Sequence, residues 1–335
     1  MAPSLTKSTP PRTSPDTSFS ALVEAFRRER ANAGSALADW QYVRRVCKPE
    51  AQKQLHQWRG KESLFEWIKV MGSTRPMTSG LRLPQSLLDE SAACYKRLFE
   101  NLGGRFDVQS LNLSNALDFS VCSLVPNLRS ILDYGAGHGR QSFLFSGIPG
   151  ARIFANDAVE TSYFSQHLVY RTLGFPLWEY FDDRKPPLQE FLRGEASRVI
   201  HLPTWQNDLI PNRSLDLVLF VWCLSEMSHH AALHALDTCT KKLKPGGYVY
   251  LRDEQHSHGW KMEKQLIRCG FLPVYQPWVL SGDTKMNGVP RLYRYLPHYL
   301  DKRNTAFCRL LFTAWRSRMF SPKQLLVRMR RLMPF

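Results

Sequence analysis

The sequence predicts an α/β fold: a Rossmann-like, seven-stranded, mostly parallel sheet with an antiparallel edge strand, helices on both faces and an N-terminal helical cap. Two observations predict it. From residue 129 onward, short β-rich runs alternate with helical stretches, which is the pattern of a parallel sheet covered on both sides. The first run, ILDYGAGHG, stops at a glycine-lined turn, and ligands of open α/β sheets bind beyond the carboxyl ends of the strands.

The N-terminal part has a different pattern. Residues 1–18 are mostly Pro, Ser and Thr, and we expect a disordered tail because they can bury little apolar surface. Residues 19–128 show apolar residues at three- and four-residue spacing, which is typical of helices. Helices are predicted over residues 19–31, 50–72 and 85–104. We expect this region to be a cap or lid, with Trp58, Phe65 and Trp67 in its core.

Residues 129–298 are predicted to form the α/β domain. Its strands are expected at Ser130–Tyr134, Ala151–Ala155, Arg198–Leu202, Leu215–Val221, Gly247–Arg252, Phe271–Gln276 and Arg291–Tyr295. Helices are expected at 139–145, 161–173, 230–242 and 259–270. The last two strands are joined without a helix, so we expect them to pair antiparallel at one edge.

The chain is strongly basic, with a net charge of +16. Residues 301–335 hold nine Lys or Arg and one acidic residue, Asp301, within a predicted basic amphipathic extension over 299–335. Such a segment suits a solvated helical face, an anionic membrane surface or an acidic partner. Because no apolar run is long enough to span a bilayer, we expect a cytoplasmic protein, with peripheral membrane contact through 301–335 as one option.

Cysteine spacing and glycine motifs disfavour several other classes of protein. The seven cysteines are scattered, with no Cys-x-x-Cys pair, which disfavours a disulfide framework or a zinc knuckle and favours a reducing compartment. The glycines at 135, 137 and 139 do not complete a dinucleotide fingerprint, because Arg140 occupies its sixth place. No Gly-Lys-Ser/Thr run for nucleotide phosphates is present either.

Four landmarks occur in order along residues 130–296: the glycine turn, ARIFANDAVE with Asp157, RSLDLVLFVWCLSEM and LKPGGYVYLRDE. This series resembles the class I S-adenosylmethionine-dependent methyltransferases. A carboxylate such as Asp157 can accept two hydrogen bonds from a vicinal diol, and the resemblance implies that it binds the ribose hydroxyls. The resemblance therefore implies S-adenosylmethionine as the cofactor.

The resemblance also implies roles for other residues. The glycines would let the backbone approach the methionyl part of the cofactor, and the following helix N-terminus would face its carboxylate. Asp133 would orient the α-amino group, and the adenine would lie near Trp205–Asn207. The predicted cofactor-binding residues are Asp133, Gly135, Gly137, Gly139, Asp157, Trp205, Gln206, Asn207 and Val221.

Methyl transfer to a hydroxyl group needs a base near the reacting atom. The ends of the fourth and fifth strands supply the predicted catalytic residues, which are Glu226, His229, His256 and His258. The run RDEQHSH could also be a polar surface loop or could place Asp253, Glu254 and His256 around a divalent cation. A resident metal is not among our expectations.

The stretch from Val221 to Gly247 is similar to a subgroup of bacterial sugar O-methyltransferases, which implies a sugar hydroxyl on a glycan or a glycosylated small molecule as the acceptor. A lipid or quinone at a membrane surface is an alternative acceptor. RNA is a further alternative but is disfavoured, because the strand-four end reads VWCLSE rather than an Asn/Asp-Pro-Pro-aromatic run and no Pro-Cys dipeptide exists. A cofactor-binding scaffold without activity is the alternative outside the enzymes.

Overall fold

The computed structural model describes residues 19–33, 57–72, 83–253, 256–257, 260–275 and 288–297. The predicted tail over 1–18 and the basic extension over 299–335 lie outside these residues, as do Glu254 and His258. Among the described helices, none combines the length and apolar character needed to cross a membrane.

Helices and strands alternate from residue 130 onward, as the sequence predicts. The helices are α1 (Phe19–Asn32), α2 (Lys61–Gly72), α3 (Gln85–Leu102), α4 (Gln109–Cys122), α5 (Ser142–Phe145), α6 (Glu160–Leu173), α7 (Leu188–Phe191), α8 (His229–Lys242) and α9 (Met262–Arg268). The strands are β1 (Ser130–Tyr134), β2 (Arg152–Asp157), β3 (Leu177–Glu179), β4 (Arg198–Pro203), β5 (Leu215–Val221), β6 (Leu243–Arg252), β7 (His256–Ser257), β8 (Trp260–Lys261), β9 (Phe271–Tyr275) and β10 (Arg291–Tyr295).

The main sheet has eight strands rather than the predicted seven, in the order β3-β4-β2-β1-β5-β6-β10-β9. The additional strand, β3, is only three residues long and lies at one edge, so it carries too little periodic pattern to be recognised in the sequence. The central strands are parallel, and β10 pairs antiparallel with β9 at the other edge, as predicted. β10 also pairs antiparallel with β6, so it lies between β6 and β9. Five central strands, β4-β2-β1-β5-β6, follow the 3-2-1-4-5 order of a doubly wound sheet.

Apolar side chains on both faces of the sheet explain why its central strands are continuous apolar runs. One face carries Leu132, Phe154 and Phe220, which are buried beneath α8 and α9. The other face carries Ile131 and Leu219, buried beneath α3, α4 and α6. The helices on this second face include two from the N-terminal region, so the predicted cap is in part a layer of the α/β core.

Three predicted elements differ in their bounds. The helix expected over 50–72 begins at Lys61 within the described residues, since residues 57–60 are not helical there. The helix after the glycine turn is a single turn, Ser142–Phe145, rather than 139–145, because residues up to 141 belong to the turn. Residues LKPGG, expected to be a turn, form the irregular first half of β6, where the register with β5 shifts.

Candidate functional site

A cleft opens at the carboxyl ends of β1, β2, β4 and β5. The order of the strands reverses between β1 and β5, and such a switch point is where open α/β sheets bind their ligands. Of the predicted cofactor residues, five line the cleft: Asp133, Gly135, Gly137, Asp157 and Val221.

The glycine turn forms the floor of the cleft. Gly135, Gly137 and Gly139 have φ angles of +66°, +62° and +75°, a region that other residues enter only with strain. A Cβ atom at Gly139 would lie 2.6 Å from the Tyr170 hydroxyl oxygen, so packing requires this third glycine. A Cβ atom at Gly137 would lie 3.2 Å from Trp67 Nε1 and would narrow the cleft.

Asn156 holds the glycine turn in place from the neighbouring strand. Its side-chain oxygen accepts a hydrogen bond of 3.0 Å from the Gly135 N–H, and its carbonyl oxygen accepts one of 3.0 Å from the Ala136 N–H. Its amide nitrogen donates to Asn207 Oδ1 at 2.6 Å. The ends of β1, β2 and β4 are therefore joined by one chain of hydrogen bonds.

Asp157 is the last residue of β2, and its side chain is 6% exposed. Its Oδ1 accepts from the Val159 N–H at 2.9 Å, and its Oδ2 accepts from the Gly137 N–H at 3.2 Å. Burial raises its pKa to about 7, against the lowering effect of these hydrogen bonds and of Arg30. Oδ2 also accepts from Gln166 Nε2 at 3.3 Å, so a further hydrogen bond from a ligand in the cleft would go to Oδ1.

Asp133 lies at the other side of the turn, one residue before the end of β1. It is 2% exposed, and its Oδ2 has no hydrogen-bond partner among the described residues. Burial raises its pKa to about 7; Arg140 lowers it, and Asp118 and Asp157 raise it. A buried carboxyl oxygen without a partner costs free energy, and a donor from a ligand in the cleft would remove that cost.

Helix α2 lines one side of the cleft, and α3 contacts the glycine turn. Trp67 of α2 is 5% exposed, as expected for a core residue, but it also lines the cleft beside Gly137. The hydroxyl group of Tyr95 on α3 is hydrogen bonded to His138 Nε2 at 2.8 Å. Burial lowers the pKa of His138 to about 3, so its imidazole is neutral.

A buried ionic network behind this wall links α4 to the turn and to β6. Asp118 contacts Arg252 Nε at 2.6 Å and Arg140 Nη2 at 3.1 Å, and it accepts from Gln141 Nε2 at 2.5 Å. The Tyr250 hydroxyl group also donates to it. Burial would raise the pKa of Asp118, but the two guanidinium groups hold it below its usual value. Arg140 and Gln141 line the cleft, so this network fixes cleft residues.

The residues after β5 form the opposite wall. Trp222, Cys223, Glu226 and Met227 line the cleft there. Trp222 has a φ angle of +55°, which is unusual for a bulky residue and marks local strain. Burial raises the pKa of the Cys223 thiol, so this cysteine is a weak nucleophile.

Asp253, at the end of β6, supports this loop instead of facing a ligand. Its Oδ2 accepts from the backbone N–H groups of Cys223 at 3.0 Å and Ser225 at 3.1 Å, and its Oδ1 accepts from the Ser225 hydroxyl group. Asp253 was considered above as a possible ligand of a divalent cation. Its carboxylate is instead hydrogen bonded to backbone N–H groups and a hydroxyl group.

The predicted catalytic residues are not all brought together. Glu226 lines the cleft. His229 is the first residue of α8, is exposed, and is not among the residues that line the cleft. The backbone of His256 lies in the short strand β7, and His258 lies outside the described residues. Glu226 is therefore the predicted base that the structure places at the cleft.

The residues predicted near the adenine have other partners. Trp205 Nε1 and Gln206 Nε2 donate to Glu29 of α1, at 2.9 Å and 2.5 Å. Asn207 is buried and bonded to Asn156. None of these three is among the cleft-lining residues, whereas their neighbour Thr204 is. A contact of all three with a ligand stays a prediction.

A second cluster of buried titratable groups lies under α6, near the edge strand β3. His167 Nδ1 and His201 Nδ1 each lie 2.7 Å from Glu179 Oε2, and the Tyr163 hydroxyl group donates to Glu179 Oε1 at 2.5 Å. The three titratable residues could hold a metal ion. However, 2.7 Å is a hydrogen-bond distance, and ligand atoms about 2.1 Å from zinc lie farther apart. The neighbouring histidines, against the effect of burial, keep the pKa of Glu179 far below its usual value.

Several residues that line the cleft were not predicted as site residues from the sequence. They are Trp67, His138, Arg140, Gln141, Thr204, Trp222, Cys223 and Met227. His138, Arg140 and Gln141 directly follow the glycine spacing, so their position in the chain was the available signal. Trp67 belongs to a helix distant in sequence, and no local pattern links it to the turn.

Comparison with known proteins gives distant matches only. No family model matches the chain, and no curated protein matches it. Among solved structures it is similar to the 1,6-didemethyltoxoflavin-N1-methyltransferase of Burkholderia thailandensis, with bound S-adenosylhomocysteine, at 17% identity over 66% of this chain and 94% of that one, with a TM-score of 0.36.

Two further structures show comparable similarity. The magnesium protoporphyrin IX methyltransferase of Synechocystis is 14% identical over 69% of this chain and 95% of that one, with a TM-score of 0.38. The cyclase SpnF is 16% identical over 59% and 77%, also with a TM-score of 0.38. Since these TM-scores are below 0.5, the functional assignment depends on the site itself.

Proposed function

We propose that the chain is an S-adenosylmethionine-dependent methyltransferase. The observation that carries the proposal is the cleft at the β1/β5 switch point, where two buried carboxyl groups flank a glycine turn. Asp157 lines the cleft and can accept from a diol through Oδ1, and Asp133 has an unpartnered oxygen for an ammonium group. Gly137 lines the cleft, and a side chain at this position would fill part of it.

The residues of the cleft fit the parts of this cofactor in order. Asp157 would accept hydrogen bonds from the ribose hydroxyl groups, and Asp133 would hold the α-amino group. The turn over Gly135–Gly137 would support the methionyl chain, with Trp67 above it. The one-turn helix α5 is too short to supply a helix dipole, so Arg140, which also lines the cleft, is the residue whose charge suits the cofactor's carboxylate.

When bound, S-adenosylmethionine supplies a methyl group already activated by the sulfonium charge. What remains for the protein is to align the acceptor, exclude water and accept a proton. Glu226, which lines the cleft on the β5 side, would accept the proton of a hydroxyl acceptor. Trp67 and Trp222 cover the cleft on two sides and reduce access of water to it.

For the acceptor we propose a sugar hydroxyl group. The partial sequence similarity described above supports it, and so does the composition of the cleft: a carboxylate suits hydroxyl donors, and an indole ring packs against the apolar face of a sugar. Glu226 and Trp222 are the residues that would recognise it. The general reaction does not depend on this choice of acceptor.

Calorimetry with S-adenosylhomocysteine tests the cofactor assignment. Replacing Asp157 with Asn keeps the shape but removes the charge, and we expect affinity to fall by about 10- to 100-fold, since hydrogen bonds to charged groups contribute about 1.5–3 kcal/mol. Asp208→Asn, an exposed carboxylate after β4, is the matched control and should bind as the wild type does. No binding by the wild type would overturn the proposal.

Transfer of a labelled methyl group tests the acceptor. Purified protein is incubated with labelled S-adenosylmethionine and separate glycan, lipid and RNA fractions of a lysate. We expect label in the glycan fraction and expect Glu226→Gln to slow transfer without weakening cofactor binding. Label only in the lipid or RNA fraction would refute the sugar acceptor, and cofactor binding without any transfer would favour the scaffold.

A further inference from the structure

Helix α1 docks against the two loops that flank one end of the cleft. Its apolar residues Leu22, Val23 and Phe26 are buried in a cluster with Tyr163 and Phe164 of α6. Phe26 is fully buried, so the helix is held by packing as well as by polar contacts. α1 comes from the N-terminal region, more than a hundred residues from α6 in sequence.

The first polar contact fixes the loop after β2. Arg27 of α1 contacts Glu160 through three hydrogen bonds of 2.6–3.1 Å. Glu160 is 3% exposed and is the first residue of α6, directly after Val159, which lines the cleft. It also accepts from the Trp58 N–H at 2.9 Å.

The second polar contact fixes the loop after β4. Glu29 Oε1 accepts hydrogen bonds from Trp205 Nε1 at 2.9 Å, Gln206 Nε2 at 2.5 Å and the Tyr180 hydroxyl group at 3.1 Å. Trp205 directly follows Thr204, which lines the cleft. One carboxylate oxygen thus accepts from three side chains, two of them in the first turn after β4.

Each of these two contacts is made by a residue directly next to a cleft-lining residue in the chain: Glu160 follows Val159, and Trp205 follows Thr204. Arg27 and Glu29 do not themselves line the cleft, but each holds the neighbour of a lining residue. α1 also carries Arg30, whose charge lowers the raised pKa of Asp157. Docking of α1 therefore acts on the position of two cleft loops and on the ionisation of the predicted ribose-binding carboxylate.

We propose that α1 is a positioning element of the cofactor site: through Arg27 and Glu29 it fixes the loops after β2 and β4, so that docking of α1 and binding of the nucleoside end of the cofactor strengthen each other. The inference rests on the proposed function. Arg27 and Glu29 are positioning residues, because they act through Glu160, Trp205 and Gln206.

The test compares Glu29→Ala and Glu29→Gln with Glu24→Gln, a carboxylate exposed on the same helix. Affinity for S-adenosylhomocysteine is measured by calorimetry well below the melting temperature of each variant. We expect about tenfold weaker binding for Glu29→Ala, in the usual range for coupling between sites. Glu29→Gln keeps an acceptor oxygen and should be intermediate, and Glu24→Gln should match the wild type.

A second measurement distinguishes coupling between α1 and the ligand from a purely structural role of α1, because coupling acts in both directions. If α1 and the ligand are coupled, S-adenosylhomocysteine must stabilise docked α1 by the same factor. We therefore expect the ligand to slow amide hydrogen exchange in residues 19–32 of the wild type, and to do so less in Glu29→Gln. Unchanged exchange in the wild type at saturating ligand would overturn the inference.

A second variant covers the case in which Glu29→Ala does not fold. Arg27→Gln removes the charged contact with Glu160 at the loop after β2, and neither Arg27 nor Glu160 lines the cleft or is a predicted cofactor-binding residue. Weaker ligand binding by folded Arg27→Gln supports the inference, and wild-type affinity contradicts it. Failure of the wild type to bind would refute the proposed function instead, so the two failures can be told apart.

Discussion

Replacement of Asp118 by Asn tests whether the N-terminal helices are part of the core of the α/β fold. Asp118 is 1% exposed on α4 and faces two guanidinium groups, those of Arg140 and Arg252. The amide keeps the shape but leaves two buried positive charges without an opposite charge. Removing one partner of a buried pair costs about 3–5 kcal/mol, a large part of the 5–15 kcal/mol of stability that is usual for a domain.

Urea unfolding followed by circular dichroism measures this change, with Asp237→Asn as the control. Asp237 forms an exposed pair with Lys241 one turn along α8, and such pairs contribute little. We also expect Asp118→Asn to weaken binding of S-adenosylhomocysteine, since Arg140 and Gln141 line the cleft. A loss of stability no larger than that of the control would refute the idea that α4 is joined to the sheet by this network.

Three further predictions concern the turn, the pH dependence and the basic extension. Gly139→Ala should lower the melting temperature more than Gly174→Ala. Both glycines have φ near +75°, but only a Cβ at position 139 would lie 2.6 Å from the Tyr170 hydroxyl oxygen. Equal decreases in melting temperature would mean that backbone strain, and not this contact, causes the loss. Because the pKa of Asp133 is raised to about 7 and an ammonium group favours the carboxylate, affinity for S-adenosylmethionine should fall as the pH drops below 7, with proton release detected by calorimetry in two buffers. Asp133→Asn should reduce both effects and leave the part that comes from Asp157, whose pKa is also raised to about 7; a pH-independent wild type would contradict the role. Removing residues 301–335 should reduce sedimentation of the protein with anionic vesicles but not with neutral ones. Equal binding of the full-length and the shortened protein to anionic vesicles would refute membrane contact through this segment.

The sequence predicts the strands of the sheet well because these are local patterns. All seven runs of five or more residues, such as that ending at Tyr134, were found within a few residues of their ends, whereas the three-residue strand at Leu177–Glu179 was not. The turn and Asp157 could be predicted because their spacing along the chain is informative. Trp67 and Glu29 could not, because their roles depend on contacts between segments distant in sequence.

The network around Asp118 has a consequence for how the chain can be divided. A fragment that began at residue 129 would retain the whole sheet and the glycine turn, but Tyr250 and Arg252 would lose their acceptor, and the sheet face now covered by α3 and α4 would be exposed to water. We expect such a fragment to aggregate. The smallest independently folding unit should therefore begin before Gln85, well upstream of the first strand.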